Sequence, residues 1–403
     1  MSEENSPGPL AGIRVIEIAN VIAGPVTCQV LSDFGADVVK VEHPDGGDPS
    51  RRQGRPKGDI PLWWKSLGRN KRSIGMYLGD PDAAEIFLKL VATADVVVEN
   101  FRTGTLEKWN LGYDVLSKVN PKIILARLTG FGQTGPYARK PAFGSNIEAM
   151  TGFADLTGEP DRPPMLAVFA LADYVAGFSL VGAIMMALYH RDARGGTGQI
   201  IDASLFQPLM SALSRQVVHY DQLGFRETRS GNRSSSASPR NAYLTKDEKW
   251  VALSVATEKL AARTMVLVGR PDLTKHEWFK TSSGRVSHND ELDGAVAAWI
   301  GERTRAEVLA AAEKAEVTMA PIYTIPEMMD DVHVRETDMI PEVDDPDLGK
   351  IRMPGVLYRL SKTPGRIRTP APRLAASTDD ILIGELGVDR ATVERLRERR
   401  VVL

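Results

Sequence analysis

Short apolar runs rich in valine and isoleucine, each handing over to a helical pattern, recur through the first half of this chain and leave few folds open. The runs are RVIEI (14–18), DVVKVE (37–42), DVVVEN (95–100) and KIILARL (122–128). Apolar on successive residues rather than alternate ones, they read as strands buried on both faces. Between them the pattern predicts helices over Pro25–Phe34, closed by Gly35-Ala36, over Asp82–Ala94, and near Tyr113–Val119. Strand–helix–strand repetition of this kind predicts an α/β fold with a parallel sheet covered by helices on both faces.

The second half reads differently. A buried helix is predicted over Tyr174–His190, followed by the Gly-rich turn RDARGGTGQ, the strand QIIDASL and a long helix to about Leu223. The polar segment RETRSGNRSSSASPRN (226–241) reads as a linker or mobile loop. NAYLT and KWVALSV then suggest a hairpin, with helices around 257–268, 289–300 and 304–315, which describes a smaller α+β domain. Beyond Pro321 come short strands near 339–344 and 349–353 and a charged helix over Asp389–Arg400. At 403 residues, two or three domains are expected.

Composition narrows the function classes. Lys and Arg number 50 against 52 acids, and the pI is near 6.4, so no basic field points to nucleic acid. The single cysteine, Cys28, excludes an internal disulfide and fits a reducing compartment; within its helical pattern it reads as packing. The start, MSEENSPGPLAG, lacks a signal-peptide pattern and reads as a disordered leader, so a cytoplasmic protein is expected. The six histidines are scattered, with no HExxH and no Cys/His cluster, so no metal site is expected. No G-x-S-x-G elbow is present.

A carboxylate is left as the best nucleophile. Asp173 is the only Asp, Glu, Lys or Arg between Pro163 and His190, inside PPMLAVFALADYVAGFSLVGAIMMALYH. An ionised carboxylate in such surroundings is costly unless something binds or uses it. The plainer reading makes Asp173 the N-cap of the helix that follows, a role compatible with function, because a helix start also offers unpaired N–H groups to an anion. The run is slightly short for a membrane span and carries Gly177, Ser179 and Gly182, so a core helix is expected.

Two further features bear on ligands. GFGQTG (130–135) matches G-x-G-x-x-G literally, but Pro136 and Pro141 discourage a helix there, and no acidic residue ends a second strand at the distance ribose recognition requires. It reads as a turn rather than an NAD site. Basic clusters sit at strand ends: Arg51-Arg52, Arg69 with Lys71-Arg72, Arg102 with Lys108, and Arg139-Lys140. Together they suggest an anionic ligand at the carboxyl ends of the strands, for which coenzyme A is suited.

Several blocks, in order, resemble the class III CoA-transferases, the family of formyl-CoA transferase and carnitine CoA-transferase. They are the opening RVIEIANVIAGPVTCQVLSDFGADVVKVEHPDGGDPSR, NKRSI (70–74), DVVVENFRTG (95–104), LTGFGQTGPY (128–137), LADYVAG, RGGTGQIIDASL (194–205), APIYTIPEM and GKIRMPG. The resemblance implies a large Rossmann-like domain from both chain ends (1–225 and 326–403), a small α+β domain (226–325) and two chains interlinked as rings in a homodimer. It places the catalytic aspartate on Asp173, sets Asn20, Val21, Ile22 and Ala23 beside the thioester, and sets Arg72, Met76, Asn100, Arg102, Lys108 and Lys140 along the CoA. Acyl-CoA and a carboxylic acid would be the substrates, with no permanently bound cofactor and no membrane.

The chemistry implied is exchange of one thioester for another, near thermoneutral and independent of ATP, with a desolvated carboxylate as nucleophile. N–H donors for each oxyanion would come from the turn near residues 22–24. Formyl-CoA transferase has a Gln where this chain has Ile22, and its mobile tetraglycine loop has no equivalent, RSSSAS (233–238) standing in that region. Oxalate is therefore a doubtful acceptor, and succinyl-CoA is the donor expected on family grounds. The rival α-methylacyl-CoA racemases carry a His where this chain has Phe143, and a phenyl ring cannot exchange a proton. A CoA-binding protein without catalysis is the other alternative.

Overall fold

A computed structural model of the chain describes residues 7–403. Of the expected leader, residues 1–6 lie outside the described residues. Pro7–Gly12 is packed rather than loose: Leu10 is buried and its N–H donates to the Phe34 carbonyl at 3.0 Å.

The chain divides into two compact units, one of residues 1–151, 167–214 and 337–403 and one of 152–166 and 215–336. The first is built on strands β1 (Arg14–Glu17), β2 (Asp37–Glu42), β3 (Lys71–Gly75), β4 (Val96–Glu99), β5 (Ile124–Thr129) and β6 (Ile200–Ser204). All pairings are parallel and the order is β3-β2-β1-β4-β5-β6, the doubly wound arrangement. The chain winds outward from β1 in one direction and then restarts at β4 on its other side. This leaves a crevice between the loops that follow those two strands, where such sheets bind ligands.

Strands β2, β4 and β5 are buried on both faces, as their uninterrupted apolar runs predict, while the edge strand β6 has no buried residue. Covering helices include α1 (Ala23–Asp33), α2 (Pro81–Val91), α3 (Tyr113–Val119), α4 (Gly144–Met150) and α5 (Leu171–Ala193). The C-terminal segment closes the same core: Ile381, Leu382, Val393, Leu396 and Val402 pack with Ile16, Val39 and Val97. Its last residues extend the backbone pairing, Tyr77 N–H to Val401 O at 2.9 Å and Leu403 N–H to Gly75 O at 3.1 Å.

Helix α5 corrects two expectations. It begins at Leu171, after Ala170, which makes no side-chain cap, so Asp173 is its third residue and not its N-cap. It is also only half buried. Ala172, Ala176, Leu180 and Ile184 face inward, while Phe178, Met185, Met186 and Tyr189 are exposed. The buried face meets α1 closely at Gly177, where an added Cβ would come within 2.7 Å of the Ala23 carbonyl oxygen. Thr27 Oγ1 donates across the same contact to Gly177 O at 2.9 Å. That approach brings the first turn of α5 beside the first turn of α1. By length and composition alone α5 could cross a membrane, and its inward face is packed in the core of this unit.

The second unit holds a three-stranded antiparallel sheet, with Arg240–Leu244 and Trp250–Ser254 as the hairpin and Met319–Pro321 as the third strand. Helices Glu258–Leu267, Asn289–Gly301 and Arg305–Lys314 supply the rest of its core. The sequence boundaries at 226 and 325 fall inside this unit. The reason is the segment 226–241, which is tied down rather than acting as a linker. Arg229 pairs with Asp155 at 3.2 Å, Arg233 with Asp293 at 2.8 Å, and Gln216 donates to Glu227 at 2.8 Å. The single long helix expected before Leu223 is two, Phe206–Ala212 and Ser214–Leu223.

Candidate active site

The crevice between β1 and β4 opens into a cavity of about 410 Å³. Six of the candidate site residues line it: Asn20, Val21, Ile22, Ala23, Asn100 and Asp173. Asn20 and Asn100 join across the switch point through two hydrogen bonds. Asn20 N–H donates to Asn100 Oδ1 at 2.8 Å and Asn100 Nδ2 donates to Asn20 O at 2.7 Å. Asn100 is thus spent on the backbone of the turn after β1, whereas the resemblance set it along the CoA.

That turn leads straight into α1. Ile22 precedes the helix without a side-chain cap, and Val26 N–H returns to Ile22 O at 2.8 Å. A helix start leaves its first amides without intrahelical partners, and Pro25 has none to offer. The N–H groups of Ala23 and Gly24 meet no acceptor among the described residues, and Ala23 lines the cavity.

Asp173 lines the same cavity, and no cation accompanies it: among the lining residues it is the only charged one. Burial pushes its carboxyl up to about 6, with further help from the Glu148 carboxylate; its own amide and that of Gly144 act in the opposite direction. Gly144 admits the carboxylate sterically, since an added Cβ would lie 2.1 Å from Asp173 Oδ2. Glu148 is fully buried, with Oε2 accepting the Ala167 N–H at 2.9 Å and Oε1 unpartnered. A carboxylate in this state is ionised at neutral pH yet poorly solvated, which suits nucleophilic attack.

Phe143, at the position of the racemase His, lines the cavity and is 75% exposed. The GFGQTG stretch forms turns between β5 and α4, with Gln133 N–H donating to Asp202 at 2.9 Å, and no helix starts before Gly144. It has none of the geometry of a dinucleotide loop.

The remaining candidates separate. Met76 lines a second, smaller cavity of about 180 Å³ that shares Asn20 and Phe101 with the first and includes His43, Tyr77 and Trp109. Arg102 and Lys140 are exposed on the loops after β4 and β5, Lys108 is exposed at the end of the short helix Thr105–Lys108, and none of the three lines either cavity. Among the described residues no carboxylate pairs with any of them; Lys140 Nζ stands 3.6 Å from the centre of the Tyr137 ring. Thr103 Oγ1 holds the two loops together by donating to Ala138 O at 2.9 Å. Arg72 stands apart from the other candidates. It lies at the amino-terminal edge of the sheet, fastened to Asp37 at 2.6 Å and to Glu385, and lines neither cavity.

Sequence reasoning missed Gly144, Glu148, Gln53 and Asp48. Asp48 carried a local signal, an Asp before Pro that caps the turn at 49–52 through the Ser50 N–H (2.8 Å). Its second contact, with Val21 N–H at 3.0 Å, joins residues far apart in the chain and had no local signal.

Comparison with known proteins bears on these features together. The family described as CoA-transferase family III matches residues 10–378. The chain is 42% identical over 399 residues to the succinyl-CoA–L-malate CoA-transferase beta subunit of Chloroflexus aurantiacus, covering 98% of each. It is 36% identical over 400 residues to the succinate–glutarate CoA-transferase of Agrobacterium fabrum, covering 97% of this chain and 98% of that one. A crystal structure of a CaiB/BaiF family protein from Brucella suis superposes with a TM-score of 0.81 at 34% identity, over 94% of this chain and 99% of that one. This chain belongs to CoA-transferase family III, and it is a CoA-transferase.

Proposed function

We propose that the protein moves CoA from succinyl-CoA to a second small carboxylic acid, with Asp173 as the covalent nucleophile. The observation that carries this reading is the placement of a desolvated carboxylate and unpartnered helix-start amides around one cavity. Succinyl-CoA as donor is supported by the names of the relatives at 42% and 36% identity.

Asp173 attacks the thioester carbonyl carbon, the C–S bond breaks, and a mixed anhydride and CoA thiolate result. The thiolate attacks the Asp173 carbonyl carbon and displaces the donor acid as its carboxylate, leaving an aspartyl-CoA thioester. The acceptor carboxylate attacks that thioester and expels thiolate, which then takes the acceptor acyl carbon and returns Asp173 to its free carboxylate. One thioester is made for each one broken, so no other energy source is needed. Every tetrahedral oxyanion develops within reach of the Ala23 and Gly24 amides, whose preorganised N–H groups stabilise it at no reorganisation cost.

Arg102, Lys108 and Lys140 are assigned to the phosphates, because unpaired cations on two loops tied at Thr103–Ala138 present a ready anion site. Met76 is assigned to the CoA chain through the smaller adjoining cavity. The exposed face of α5, with Met186 73% exposed and Phe178, Met185 and Tyr189 beside it, supports burial against a second copy in a homodimer. The related alpha and beta subunits make a heteromer the competing outcome. A cytoplasmic location is kept, on the single buried thiol Cys28. The test is a mass-spectrometric screen of succinyl-CoA against a panel of carboxylic acids, with Asp173→Ala as control. Binding of CoA without label exchange to any acid would replace this reading with a non-catalytic one. Solvent deuterium entering the α-carbon of a 2-methylacyl-CoA would replace it with racemisation.

A further inference from the structure

Below the turn that faces Asp173 lies a group of buried charges to which the reaction above gives no role. Lys40 and Asp48 are each 0% exposed and 2.8 Å apart. Lys40 Nζ also reaches Glu17 at 2.7 Å, and Glu17 reaches Lys71 at 2.8 Å. Asp48 N–H donates to Glu42, itself paired with Arg51 at 2.7 Å. Burial opposes the charge on Asp48, but the Lys40 ammonium outweighs it and holds the carboxyl down at about 2. A group of buried ion pairs in a core is not the cheapest way to hold a sheet together, since apolar side chains of similar volume would serve as well.

What distinguishes this cluster is where its spare hydrogen bonds go. Lys40 Nζ donates to Ala19 O at 2.9 Å, and Asp48 accepts the Val21 N–H at 3.0 Å. With Asn100 on both backbone groups of Asn20, three consecutive residues are gripped by side chains from three other segments. The grip ends at a strained residue: Val21 has φ of 67°, in the left-handed region that a β-branched side chain seldom enters. Such a conformation persists only where the surroundings over-determine it. Val21 is also the residue immediately before the segment that carries the free amides of Ala23 and Gly24.

We propose that Asp48, backed by Lys40, is a positioning residue that holds Val21 in its left-handed conformation and thereby aims the α1 amides at the reacting carbonyl. This inference rests on the oxyanion role assigned to those amides above. Released from Asp48, Val21 relaxes to an extended conformation and the amides turn off their target. Glycine at position 21 has no such preference and keeps the turn without the grip.

The test compares wild type, Asp48→Asn, Val21→Gly and the double variant in transfer of labelled CoA from succinyl-CoA to an accepted acid. An Asn amide can offer its oxygen to Lys40 or to Val21 N–H but not satisfy both. Asp48→Asn is expected to lower kcat about 100-fold, the effect of losing an oxyanion donor, with KM changed less than about threefold. The double variant is expected to recover about tenfold over Asp48→Asn alone, a non-additivity that a merely structural Asp48 would not produce. Additive effects, or an unchanged kcat in Asp48→Asn, overturn the proposal. Should Asp48→Asn fail to fold, Val21→Pro answers the same question: its ring fixes φ near −65° and removes the N–H that Asp48 accepts, while the Lys40–Asp48 ion pair keeps both its groups. It is expected to lose kcat to the same extent, and an active Val21→Pro overturns the proposal. Trapping of acyl-Asp173 in the same wild-type samples reports separately on the nucleophile, so transfer without an Asp173 adduct sinks that assignment and leaves the positioning result readable.

Discussion

The two edges of the six-stranded sheet use the same residue types to opposite ends. At the amino-terminal edge the arginines are answered. Arg14 pairs with Asp37 (2.9 Å) and Glu385 (2.6 Å), Arg72 with the same two acids, and Arg191 with Asp95 (2.8 Å) and Asp192 (2.6 Å). At the carboxyl edge Asp173 has no cation, and Arg102, Lys108 and Lys140 have no carboxylate among the described residues. The first edge is closed upon itself and contributes cohesion. The second is left electrostatically incomplete, and a polyanionic thioester is what would complete it.

The comparison can be broken at either edge, and the largest effect is expected at Asp173. Asp173→Ala should lower CoA transfer by at least about a thousandfold, as removal of a covalent nucleophile does, measured as label exchange. Acidity should act next. With the carboxyl at about 6, kcat/KM should fall tenfold per unit as pH drops below that value, because the protonated acid is no nucleophile. Stability carries the opposite sign. The folded state holds this proton more tightly than the unfolded chain, so Asp173 favours folding below about pH 4, and that contribution is lost as pH rises through 6. Asp173→Asn should therefore melt higher than wild type at pH 8, by on the order of 2 kcal/mol, with the gap closing between pH 6 and 4. Equal melting curves at pH 8 would show that the carboxylate is not desolvated.

Smaller effects separate the cations. Arg102→Ala and Lys140→Ala should each raise KM for acyl-CoA about fivefold, more at low salt, with kcat unchanged. Arg72→Ala should leave both constants alone and cost at most about 1 kcal/mol in thermal unfolding. A KM effect at Arg72 as large as at Arg102 would erase the distinction between the two edges.

Much of this was legible in the chain. Apolar β-branched runs such as DVVKVE can be buried on both faces only in a covered parallel sheet, and the strand order then put the ligand crevice between Asn20 and Asn100. Asp173 stood out because a lone charge in an apolar run has one cost and few uses. What local pattern could not supply was partnership. Arg72 and Arg102 look alike in sequence and differ only in whether Asp37 and Glu385 lie beside them. The start of α5 was placed three residues late, because Ala170 carries no capping side chain to mark it. The segment 226–241 read as a linker on composition, yet its arginines find Asp155 and Asp293, far away in the chain. The Asp48–Val21 contact was hidden for the same reason.

The central claim is that Asp173 becomes covalently acylated during transfer. It is tested most directly by incubating the protein with succinyl-CoA, quenching with hydroxylamine and mapping the peptides by mass spectrometry. A hydroxamate is expected on Asp173, dependent on donor and lost when acceptor acid is present in excess. CoA transfer at full rate with Asp173 unmodified, or undiminished in Asp173→Asn, would contradict it.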